Sequence, residues 1–155
     1  MNFTEGCVHM NKITNFKGEY EFLSNFAPCY IRYNGILYTS VECAFQAAKV
    51  EDIQIKKQLS RCTPNEAKKY GRKVKLRADW DNVRVDIMRD LLRIKFHDNH
   101  FSYKQKLIDT GDAYIEEGNK HHDTFWGVCD GIGENNLGKL LMEIREELVH
   151  DKSIS

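Results

Sequence analysis

The sequence predicts an α+β fold, mainly helical, in a single domain of 155 residues. Three observations predict it. Start signals and apolar stripes of helical period mark six helices. Short aromatic, turn-punctuated segments mark a few strands, near the N-terminus and around residues 114–130. The strands do not alternate regularly with the helices, which argues against a doubly wound parallel sheet. The 41% apolar and 30% charged content is that of a globular chain.

Residues 16–26 and 29–38 are rich in aromatics, and Asn34-Gly35 is a hairpin signal. Two short strands are expected there. In Thr39-Ser40-Val41-Glu42 a hydroxyl precedes a glutamate by three, the spacing of a capping box, so a helix should run from Val41 to about Val50. A second should cover 52–61. Thr63-Pro64-Asn65-Glu66 carries an N-cap hydroxyl, a first-turn proline and a glutamate at the third position. Its helix should end near Gly71. Asp79 should cap the longest helix, 80–97, with Val83, Ile87, Leu91 and Ile94 as its core stripe. A helix over 101–109 stops at Gly111. Extended pieces are expected at Tyr114-Ile115 and Phe125-Trp126. Leu137, Leu140, Leu141, Ile144 and Leu148 mark the last amphipathic helix. The first dozen residues and the tail after His150 are expected to be disordered.

No apolar run exceeds three residues, which excludes a transmembrane helix and a secretory signal core. Basic and acidic residues balance at 23 each, unlike a non-specific nucleic-acid coat protein. The five cysteines, Cys7, Cys29, Cys43, Cys62 and Cys129, form no CxxC pair and read as reduced thiols in the cytoplasm. His97 with His100, and His121-His122-Asp123, lack the second ligand pair a zinc site needs, so no metal is expected.

Three features bear on chemistry. On the first helix Glu42, Gln46 and Lys49 fall within about 60° of one another. That is the pattern of a plain wet face, or of a carboxylate, an amide and an amine aimed into one cleft. The segment 126–138 carries four glycines and opens the last helix, so its backbone N–H groups could cradle an anion such as a diphosphate. It has neither the GxGxxG nor the P-loop spacing. Lys68–Arg77 holds six basic residues in ten, a solvated connector or a phosphate contact.

Taken in order, FLSNF (22–26), SVECAFQAAK (40–49), PNEAK (64–68), DW (79–80), KF (95–96), TGD (110–112), EGN (117–119), DTFWGV (123–128) and GENNLGKLLMEIR (133–145) resemble the NADAR family, typified by the YbiA-like N-glycosidases. The resemblance covers about residues 16–149. It implies a compact α+β domain that cleaves ribosyl–nitrogen bonds, with no cofactor. The implied substrate is ADP-ribose on guanine, in nucleic acid or free nucleotide. The alternative is a phosphoribosylamino-pyrimidine of early riboflavin synthesis. The resemblance places covalent chemistry on Lys49 and carries over Glu117 and Asp123; cleavage of such a bond makes Glu117 the candidate proton shuttle and gives Asp123 the orienting of a ribose hydroxyl or the lysine. The resemblance marks Asn25, Phe26, Trp126, Gly127, Asn136 and Gly138 as substrate contacts, and the shared side of the first helix adds Glu42 and Gln46 to hold the sugar or base edge. Lys120-His121-His122 stands where relatives often carry tryptophan. Two other classes remain: a silent ADP-ribose or nucleotide reader, and a nucleic-acid module led by Lys68–Arg77.

An attacking lysine must be neutral. Lys49 lies near a helix C-terminus and near glutamates, and both favour its protonated form. Burial or a cationic neighbour from 68–77 is required to oppose them.

Overall fold

The computed structural model describes residues 11–98 and 100–154. The mainly helical α+β class is borne out. By contact the chain divides into two units, one formed by the segments up to Ser24 and from Lys104 onward, the other by Asn25–Tyr103.

In the Asn25–Tyr103 unit, strands β2 (Ile31–Tyr33) and β3 (Ile36–Tyr38) pair antiparallel, with Tyr33 opposite Ile36. Asn34 and Gly35 turn the chain at φ 50° and 82°, both left-handed, as this hairpin type requires. Helix α1 (Val41–Ala48) begins where the sequence places it, but by a different cap. Ser40 Oγ accepts from Cys43 N at 3.1 Å. Glu42 is therefore not part of a capping box. Helix α2 (Ile53–Leu59) is capped by Asp52, which accepts from Gln54 N. Helix α3 (Pro64–Gly71) carries the predicted capping box in full: Thr63 N donates to Glu66 Oε1 and Glu66 N to Thr63 Oγ1.

Helix α4 (Trp80–His97) has the predicted bounds but no side-chain cap. Asp79 instead takes Arg77 Nε at 2.6 Å, an ion pair that outcompetes the backbone amides. Its buried face is Trp80, Ile87, Met88, Leu91, Leu92, Lys95 and Phe96, which leaves Val83 and Ile94 at the margin. Helix α1 packs against α2, α3 and α4 and is buried on every side.

Lys95 is 1% exposed. Its Nζ lies 5.1 Å from the Phe96 ring centre and 5.3 Å from that of Tyr103. Burial lowers its pKa to about 8, partly offset by Cys29. Between pH 8 and 10.5 the unfolded chain thus holds a proton here that the folded chain has shed. Stability relative to a Lys95→Met variant should rise with pH across that window, by about 3 kcal/mol. Urea titrations of both proteins at pH 7.5 and 10 measure the difference; a flat difference would refute it.

In the other unit, β1 (Lys12–Ile13) pairs parallel with β4 (Tyr114–Ile115), and β5 (Gly118–Asn119) parallel with β6 (Val128–Cys129). Residues Gly18–Leu23 form a 3₁₀ helix, entered through Gly18 at φ 60°. Helix α5 (Tyr103–Asp109) is followed by Gly111 at φ 65°. Phe125 and Trp126 bend rather than extend, because Asp123 draws in their amides. Helix α6 (Asn136–Ile154) buries the five predicted positions.

The expected disorder of the first dozen residues falls largely outside the described residues, but β1 already includes Lys12. The tail after His150 is helical to Ile154. Among the described residues no helix is long and apolar enough to cross a membrane.

Candidate functional site

The predicted site residues fall into two groups, one in each unit. Asn25, Phe26, Glu42, Gln46 and Lys49 belong to Asn25–Tyr103. Glu117, Asp123, Trp126, Gly127, Asn136 and Gly138 belong to the other.

In the first group the wet-face reading of α1 fails. Glu42 is 8% exposed and Gln46 5%. Gln46 Nε2 donates to Glu42 Oε2 at 2.6 Å, a charge-assisted bond inside the protein. Asn25 O accepts from Glu42 N at 3.0 Å, which ties the SNF segment to the first turn of α1. The Asn25 side chain donates to Met88 Sδ, and its Oδ1 is buried without a hydrogen-bond partner.

Lys49 is the C-cap of α1 and half-buried. Its Nζ lies 5.9 Å from the Phe45 ring centre and 6.0 Å from that of Trp80. Those rings sit 5.0 Å apart. Burial lowers the Lys49 pKa; Glu42 works against that shift, and the charges of Arg72 and Lys68 add to it. Burial and a cationic neighbour, the two influences that can oppose protonation, are therefore both present, and the cations come from the basic segment. Lys68 also stands over the Phe26 ring at 5.8 Å. Tyr70 and residues 73–77 of that segment border a groove of about 850 Å³ with Val50, Glu51 and Asp52, where Arg77 N donates to Lys49 O.

In the second group Glu117 is held from several sides. Its backbone N donates to Asn135 Oδ1 at 2.9 Å, and its Oε1 accepts from Asn119 Nδ2 at 3.3 Å. A side chain at Gly127 would strike both the Glu117 carboxylate and its carbonyl oxygen, so this glycine is fixed by packing. Asp123 Oδ1 accepts from Phe125 N and Trp126 N at 3.1 and 2.9 Å, and so shapes the loop that carries Trp126. Trp126 meets Phe125 edge to face at 4.9 Å.

The loop before α6 is not the open anion cradle its glycines predict. The amides of Glu134, Asn135, Asn136 and Leu137 donate to the carbonyls of Thr124, Gly127, Phe125 and Trp126. Asn136 Nδ2 also donates to Phe125 O. Gly138 is small because Ile115 O and the Asn135 side chain occupy the space beside it. Asn136 and Gly138 therefore build the loop.

Sequence reasoning missed Gly71, Asn119 and Asn135. Asn135 is 3% exposed, with φ 55°. Its Nδ2 donates to Ile115 O, and its carbonyl accepts from Lys139 N. An asparagine just before an apolar helical stripe was its signal.

Comparison with known proteins bears on this arrangement. The family model described as NADAR domain matches residues 12–149. The chain is 35% identical to the N-glycosidase YbiA of Escherichia coli K12, over 94% of each chain. It is 38% identical to an N-glycosidase of Nostoc punctiforme, over 83% of this chain and 86% of that one. It is also 38% identical to a riboflavin biosynthesis protein of Vibrio vulnificus, across 82% of this chain but only 35% of the longer protein. The NMR structure of Escherichia coli YbiA superposes with a TM-score of 0.79, covering 92% of this chain and 88% of that one. The chain belongs to the NADAR domain family and is an N-glycosidase.

Proposed function

We propose that the chain removes ADP-ribose from guanine by hydrolysing a ribosyl–nitrogen bond, with Lys49 as the reacting amine and Glu117 as the proton carrier. The observation that supports this most is the environment of Lys49. Burial beside Phe45 and Trp80, with Arg72 and Lys68 nearby, favours a neutral amine against the pull of Glu42.

A ribose on an exocyclic amine opens to an imine at C1. Lys49 Nζ adds to that carbon, a proton passes to the base nitrogen, and the C1–base nitrogen bond breaks as the base leaves neutral. Water then hydrolyses the lysine Schiff base and releases the free sugar. Glu117 supplies and recovers the proton.

A second reading, a phosphoribosylamino-pyrimidine substrate, draws support from two observations. A relative bears the name riboflavin biosynthesis protein. The loop amides that would cradle a diphosphate are already engaged. Side-by-side turnover decides. ADP-ribosyl-guanosine should release ADP-ribose with a kcat/KM at least tenfold above that for the pyrimidine. The reverse order would select the second reading.

A further inference from the structure

We infer that Gly71 is a positioning residue for the reaction: its missing side chain seats the Gln46 amide, and the seated amide orients the Glu42 carboxylate on α1. The inference rests on the proposed role of Lys49.

Gly71 is buried at the end of α3 and is absent from the positive-φ glycines, so its backbone makes no demand that alanine could not meet. Inside a helix, glycine is the poorer choice on propensity. What alanine would change is the space left to Gln46. A Cβ at position 71 would strike Oε1 and Cδ of Gln46. The amide cannot flip to escape. Its Nε2 faces the Glu42 carboxylate at 2.6 Å, and only a donor can do so. The seating leaves Gln46 Oε1 buried without a hydrogen-bond partner. Burying a bare acceptor is costly. The arrangement therefore favours one orientation of the Glu42 carboxylate at the expense of hydrogen bonding.

That carboxylate favours the charged form of Lys49, against the lowering by burial. A hydrogen bond from Gln46 draws charge from it and weakens its hold. Displacing the amide removes that hydrogen bond, strengthens the hold of the carboxylate and leaves Lys49 more basic.

The test is a double-mutant cycle read by turnover and by the side-chain amide NMR signal of Gln46. Gly71→Ala should move that signal, lower kcat about tenfold with KM within threefold, and shift the acid limb of the kcat profile to higher pH. Helix content and Tm should hold. In a Gln46→Ala background the new methyl has room, so adding Gly71→Ala should change kcat by less than twofold. An unmoved amide signal, unchanged kcat, or the same tenfold loss in both backgrounds would overturn the inference. Full turnover by Lys49→Ala would remove the amine role alone, because the amide signal reports the seating without any substrate.

Discussion

Replacing Lys49 by alanine is expected to lower turnover about 10³-fold or more while the protein stays folded. The position is the C-cap of α1, and alanine keeps the backbone bonds from its N–H to Ala47 O and Gln46 O. Lys49→Arg separates the two roles a cation could play here. A phosphate or ribose ligand would be rescued in part by a guanidinium. A nucleophile would not, because arginine stays protonated at any working pH. Borohydride added during turnover should fix one sugar per chain on Lys49, read by peptide mass. The pH profile carries a sign. Lys49 must shed a proton, so activity should fall as pH drops, and the limb should lie below the ordinary lysine range because burial favours the neutral amine. Lys68→Met removes a cation that helps this shift, and should move the limb to higher pH. Retained activity in Lys49→Ala would leave Glu117 as the main catalyst, acting by direct hydrolysis.

The parts of this fold that were legible in the sequence are those governed by contacts within one turn. The box at Thr63 and Glu66 closes over three residues, and the Asn34-Gly35 turn needs only its own backbone angles. The errors arose where a distant or competing partner claimed the same atoms. Asp79 serves Arg77 rather than the α4 amides. Glu42 has capping-box spacing from Thr39, yet Ser40 caps the helix and Glu42 turns inward to Gln46. Spacing placed Glu42, Gln46 and Lys49 together on one side of α1. It gave no sign that the side was buried, because α3 and α4 that bury it are distant in sequence. The same limit hid Gly71, whose meaning lies in a side chain 25 positions earlier (71 less 46). It hid the loop before α6 as well, where four amides that a single sequence leaves open are taken by carbonyls ten or so residues back.

Asn135→Ala is expected to destabilise the protein by about 3–5 kcal/mol. Asn135 fits its site for two reasons that alanine cannot satisfy together. Its φ of 55° lies in the left-handed region, which asparagine tolerates better than most residues. Its amide bridges three groups: Oδ1 accepts from Glu117 N at 2.9 Å, and Nδ2 donates to Ile115 O at 2.9 Å and to Tyr114 Oη at 3.3 Å. Ile115 is fully buried, so its carbonyl has no water to turn to. Asn135→Gly relieves the backbone but not the lost bonds, and should recover about 1 kcal/mol of the loss. Asn135→Asp keeps the acceptor for Glu117 N but sets a carboxylate against the Ile115 carbonyl, and should do no better than alanine. Urea unfolding at pH 7 ranks the three; a loss under 1 kcal/mol for alanine would show that the bridge is dispensable. The consequence reaches the chemistry, because this side chain holds the backbone N–H of Glu117. Whatever fraction of Asn135→Ala remains folded should turn over more slowly per folded molecule, with kcat rather than KM affected.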